Sequence, residues 1–327
     1  MDIFIPKFKD YFITSREMPS ISSGFCGEYR AILRGPDNRI KSDTGWKPNT
    51  ILNQGLQSIQ RADRNAFNSM YLGDSDAAVD VTQTGLQGTP FPSAQSSYAN
   101  GSWTPGSDPT WVHMTTRTCT FNAGVNTGTI KEFVFSWTTD PVNNGSVRVV
   151  LDVPIVKGAS DELTIEHRLY WYPETSDVTG VVTITGLGDY DYRMRHCQID
   201  VGPTSHMYSY TPTNSALFQT HSVGNAGTTL TTLDNYPSWG NDMSPGSTSY
   251  GSLAADSFYA QTYYTLGVDT GNFTHGAYGV GIFGKYWQSG GVQFTLLENG
   301  DGVTPITKLN THVLTFGVRT IINRYVP

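Results

Sequence analysis

The chain has 327 residues, a formal net charge of -7 and only 15% charged residues, so it carries no basic surface able to track a phosphate backbone, and nucleic acid is not an expected partner. Gly 34 and Pro 17, set against 38% hydrophobic and 12% aromatic residues, exclude an architecture of long helices and favour many turns. No apolar run approaches the roughly 18 residues that span a bilayer, and the start MDIFIPKFKDYF lacks the parts of a secretion signal, so membrane insertion is not expected and synthesis in a cytoplasm is.

Residues 1–48 show weak periodicity and are expected to form an N-terminal arm or irregular lead strand. In it Phe4, Ile5, Phe8, Tyr11 and Phe12 make an apolar cluster without helix period, a candidate docking element. The segment NTILNQGLQSIQRADRNAF is the single predicted helix, with Ile51, Leu52, Gly55, Leu56 and Ile59 at spacings of three and four, and Asn49 or Thr50 as its cap. Gly55 weakens a helix by roughly 1 kcal/mol against alanine, so the helix is either packed tightly there or short.

From there the period is two. SVRVVLDVPIV, ELTIEHRLYWY and HVLTFGVRTIINRYV alternate apolar and polar residues between turn-rich stretches, and Asn144-Gly145 signals a hairpin. Several elements recur. Gly124-Val125-x-Thr127-Gly128 returns as Gly267-Val268-x-Thr270-Gly271, VRVVL (147–151) as VQFTL (292–296), and PIVKGASDELTI (154–165) as PITKLNTHVLTF (305–316). Two tandem, duplicated antiparallel β-sandwich modules are therefore expected, at 49–175 and 176–327, giving an all-β fold with an N-terminal arm and one short helix.

Ahead of each repeated element lies a long Ser/Gly/Pro-rich segment studded with aromatic residues: Ser96–Met114 with Trp103 and Trp111, and Asn235–Ser252 with Tyr236, Trp239 and Tyr250. Loops this long are often functional when ordered. The five rings are either candidate interaction loops or plugs for the ends of the sandwiches.

NTILNQGLQSI, YLGDSDAAVDVTQTGLQG, GTIKEFVFSW and RVVLDVPIVKGASDELTIEHRLYW together resemble a pattern found in tailed-bacteriophage structural proteins of β-sandwich type, among them tail, tail-fibre and appendage proteins. The likeness covers about 49–172 in full and the later half of the second copy. Ile130, Glu132 and Phe135 match the family's strand, but Val134 stands where the family often has glycine, and Gly279 replaces the acid in the second copy. The resemblance implies a virion component.

Nothing in the sequence points to catalysis. No nucleophile elbow, P-loop, HExxH or GxGxxG is present, and Cys26, Cys119 and Cys197 lack metal or disulfide spacing and are read as reduced and structural. Asp189, Asp191 and Glu166 raise the glycosidase question, for which separation is decisive. His196 with His206 is a weak metal pair, and ENGDG (298–302) reads as a turn. The expectation is thus a non-enzymatic protein, without cofactor or metal, that binds itself and neighbouring virion proteins. The alternatives are a carbohydrate-recognition module, its aromatic loops stacking on a bacterial surface glycan, and a capsid decoration protein.

Overall fold

The computed structural model describes residues 9–12, 18–60, 67–96, 98–104, 112–174, 176–184, 188–196, 245–254, 257–266, 278–283, 290–298 and 311–325. In chain order the first strands are β1 (Lys9–Phe12), β2 (Ser20–Arg34), β3 (Ile40–Asp43) and β4 (Lys47–Ile51), followed by helix α1 (Asn53–Gln60). Next come β5 (Ser69–Gly73), β6 (Gln95–Ser96), β7 (Tyr98–Thr104), β8 (Val112–Phe121), β9 (Gly128–Ser136), β10 (Gly145–Lys157) and β11 (Glu162–Pro173). The remainder are β12 (Val178–Ile184), β13 (Gly188–His196), β14 (Pro245–Ala254), β15 (Ser257–Leu266), β16 (Tyr278–Phe283), β17 (Gly290–Glu298) and β18 (His312–Arg324). The fold is all-β, with one short helix among the described residues.

Most strands belong to one sheet, and β2 is its organising element. Along one edge β2 pairs antiparallel with β11, which continues through β8 to β7. Along the other edge it meets in turn β18, parallel, then β4 and β3. Beyond β18 lie β15 and β14. Strand β4 also pairs with β10, so the sheet turns a corner and continues through β9 to β5 and β6, nearly closing on itself. A separate four-stranded sheet runs β12-β13-β17-β16.

Residues 20–34, expected within an arm, are thus a 15-residue strand at the centre of the sheet. Its burial alternates residue by residue, with Ile21, Phe25, Tyr29, Ala31 and Leu33 facing inward. Ser23 and Gly27 occupy inward positions in the same series, which is why hydrophobicity alone shows little period there. Within the predicted docking arm, Tyr11 and Phe12 are strand positions of β1, paired parallel with Leu314 and Thr315; Phe4, Ile5 and Phe8 lie outside the described residues.

Inward side chains from the two arms of the sheet share one core. Tyr29 of β2 meets Phe133 of β9 edge-on, with centroids 5.3 Å apart. Trp171, Phe25, Phe67, Phe121, Phe133 and Phe135 are fully buried, each worth on the order of 2 kcal/mol of transfer free energy.

Two local expectations are corrected, and two others gain detail. The helix starts at Asn53, because Thr50 and Ile51 pair with Arg148 and Val147 in β4 and Pro48 favours an extended chain before it; Asn49 and Thr50 therefore cap nothing. The helix is short, with 8 residues, and also tight, since a β-carbon at Gly55 would collide with the Ser146 carbonyl. The Asn144-Gly145 hairpin exists between β9 and β10, but Asp140 organises its turn by accepting from the backbone N–H groups of Val142 and Asn143 at 3.2 Å each. The repeated Gly124–Gly128 motif is a connection rather than a strand: Gly124, Asn126 and Gly128 all take positive φ (80°, 51° and 133°) between β8 and β9.

Candidate functional site

The densest polar chemistry lies on the outward side of β9 and β10. Between β5 and β6 the chain makes a long excursion whose ends meet at the isolated bridge between Gly73 and Pro90, an Ω-loop. It roofs the outward residues of the two strands, and two side chains beneath hold it. Arg148 donates from Nε to Glu132 Oε2 at 2.7 Å, from NH1 to Gln83 Oε1 at 2.9 Å and Ala78 O at 3.3 Å, and from NH2 to Ala77 O at 2.9 Å. Glu132 in turn accepts from Gly88 N at 2.7 Å and from Gln87 N at 3.2 Å. Both side chains are 0% exposed, so an ion pair with no access to water is satisfied by the loop's own backbone.

The glycines of GDSDAAVDVTQTGLQG now have reasons. A β-carbon on Gly73 would sit 2.6 Å from Glu132 Oε1, one on Gly88 would strike Asp74 Oδ1, and one on Gly85 would strike the Pro141 carbonyl. Asp74 accepts from Thr89 N at 2.7 Å, and Leu86 N donates to Pro141 O at 2.9 Å, joining the loop to the β9–β10 turn. Gly73, Gly85, Gly88, Glu132 and Arg148 are therefore parts of one clasp. A second anchor is Lys157, 1% exposed, which donates to Asn122 O at 2.9 Å and Val125 O at 2.8 Å and ties down the Gly124–Gly128 connection. Burial lowers its pKa from the ordinary lysine value, opposed by Asp161 and Glu162.

On the inward side of β9 sits a polar group of the opposite kind. His167 of β11 is fully buried, tilted against Phe135 with centroids 4.9 Å apart and stacked on Phe67 at 5.9 Å. Neither ring nitrogen has a hydrogen-bond partner among the described residues. Desolvation, and then the neighbouring Arg117 guanidinium, pull its pKa down to about 3. Arg117 is directly opposite in β8 and donates to Phe67 O at 3.0 Å.

Of the residues predicted to lie in interaction loops, Trp103 and Tyr250 are instead strand residues, Trp103 on β7 and Tyr250 on β14, the strands that end the β2-centred sheet on its two sides. Trp111, Tyr236 and Trp239 fall outside the described residues, as do Cys197, His206 and 299–302. The three carboxylates weighed for glycoside hydrolysis stand on different sheets, Glu166 on β11 and Asp189 with Asp191 on β13, and Asp189 accepts from Thr183 Oγ1 at 2.6 Å. Cys26 and Cys119 are free thiols, and burial raises Cys119 to about 12.

Arg148, Gln83 and the roof itself were not anticipated from sequence. Their signal was the run of glycines in an acidic, serine-bearing turn upstream of an Ile-x-Glu strand. Searches for likeness return nothing: no family model, no curated protein and no solved structure matches the chain.

Proposed function

We propose that the chain is a structural component of a bacteriophage virion, a tail or tail-fibre-associated assembly protein built of two duplicated antiparallel β-sandwich modules. In this role it binds copies of itself and neighbouring virion proteins. The observation that carries the reading is the strand order around β2. On one side stand β11, β8 and β7, and on the other β18, β15 and β14, with each outer pair a hairpin. In each half a further hairpin, β9–β10 or β16–β17, falls in sequence between the second and third of these strands. Because β11 runs antiparallel to β2 and β18 parallel to it, the halves run in opposite directions, as a two-fold axis through the sheet would relate them. Two like halves in one chain suit docking to neighbours that present similar surfaces twice.

The test is the solution mass of the full-length protein by light scattering. A defined oligomer is expected; a monomer at every concentration counts against self-assembly.

A second reading, recognition of a bacterial surface glycan, draws support from the outward face of the large sheet. There Tyr172 stacks on Tyr325 at 4.1 Å and Tyr170 follows at 6.3 Å, beside a threonine row from β8. Aromatic rings among hydroxyls and paired charges suit sugar rings. Loss of host-glycan binding on Tyr325→Ala is the outcome this reading requires.

A further inference from the structure

The roof over β9 and β10 covers only part of their outward side. Past Val150 the register of β10 against β9 breaks and resumes at Ile155, so the intervening residues bulge outward. Val153 is 75% exposed and Val156 67%, the most exposed of the large apolar side chains among the described residues. Pro154 between them is exposed as well. Strand β4 pairs only with Val147 and Arg148, so this end of β10 has no strand on that edge among the described residues. Ile40, on the β2–β3 hairpin, is 52% exposed. Lys41 of β3 pairs with Asp161, just beyond β10, at 2.6 Å, and Lys47 of β4 pairs with Asp152 of β10 at 3.6 Å.

We propose that this bare end of β10 is the contact through which one copy of the chain binds a second copy. This rests on the assembly reading above and gives it a surface. An apolar centre with a charged rim is the ordinary anatomy of a protein interface. The occupant follows from the rim, where one charge of each sign stays open to solvent on adjoining strands, Lys47 at 47% and Asp152 at 74%. Such a rim is complementary to itself: across a two-fold axis Lys47 of each copy faces Asp152 of the other, as an isologous contact requires. A partner of a single charge sign would be repelled by half of it. The centre holds valines and proline and no ring, so it offers a sugar nothing to stack upon.

The experiment is sedimentation equilibrium on the full-length protein and on Val153→Asp/Val156→Asp, with circular dichroism to confirm an unchanged fold. Wild type is expected to form a discrete oligomer, and the variant to raise the dissociation constant by about a hundredfold, since a buried unpaired carboxylate is strongly disfavoured. Should the aspartates disturb folding, Val153→Ser/Val156→Ser is expected to weaken association about tenfold. Lys47→Asp and Asp152→Lys should each weaken association, and the two combined should restore it. A wild-type oligomer unmoved by the valine variants overturns the surface and leaves the assembly reading standing. A wild-type monomer at all concentrations overturns both.

Discussion

On the two sides of β9 the chain buries polar groups in opposite ways. On the outward side of β9 and β10, Glu132 and Arg148 are charged, inaccessible to water and surrounded by partners. On the inward side, against Phe135 of the same strand β9, His167 is equally inaccessible, neutral and without a hydrogen-bond partner among the described residues. The difference teaches that satisfaction, rather than charge, decides whether a buried polar group holds a structure together. The ion pair organises a long loop because the loop's carbonyls and N–H groups complete its shell. The imidazole only fills space between Phe67 and Phe135, and stays neutral because nothing there compensates a proton.

The largest test of that contrast removes one half of the pair. Arg148→Met leaves Glu132 buried with two backbone donors alone, and should cost about 3–5 kcal/mol in urea unfolding. The double variant Glu132→Leu/Arg148→Met should recover much of the fold's stability while the Ω-loop becomes open to proteolysis; an intact, resistant loop would contradict the role given to the pair. Lys157→Met comes next. It strands the carbonyls of Asn122 and Val125, and should cost about 1.5–3 kcal/mol.

His167 gives a test by pH. The unfolded chain protonates this residue near its ordinary value of 6.5, whereas the folded chain holds it neutral down to about 3. Stability due to the neutral form is therefore complete above 6.5 and drains away as the pH falls toward 3, by about 1.4 kcal/mol per pH unit. His167→Phe should match or exceed wild type at neutral pH and lose this part of the acid slope. Parallel wild-type and variant curves of melting temperature against pH would remove His167 from the account. The smallest effect is expected at the exposed rim, where Lys47→Ala should change monomer stability by less than about 1 kcal/mol in a thermal melt.

These regions also differ in how well the sequence announced them. Strand β11 was legible because Leu163, Ile165, Leu169 and Trp171 face inward and alternate with mostly polar outward residues. β2 was hidden by Ser23 and Gly27 at inward positions, and the end of β4 by an apolar spacing that fits a helix as well as a strand. Glu132 was visible as part of a familiar pattern, but its work was not, since its backbone partners lie 44 and 45 residues earlier in the chain. Arg148 alternates with valines as an outward strand residue, which normally means solvent; only a roof contributed from elsewhere makes it buried. His167 alternated correctly as an inward residue, yet nothing local distinguishes an inward histidine from an outward one.

The place of β2 bears on how the protein is made. Ser20 pairs with Arg319, so the parallel register along one edge of β2 joins residues almost 300 positions apart. At ordinary translation rates, about 15–60 s separate the appearance of the two strands from the ribosome. Through that interval the Ser20–Phe25 edge has no β18 to receive it, although β11 can already close the opposite side. Production of this chain is thus exposed to chaperone supply and nascent-chain aggregation at β2, and slow, late sheet closure is the expected rate-limiting event.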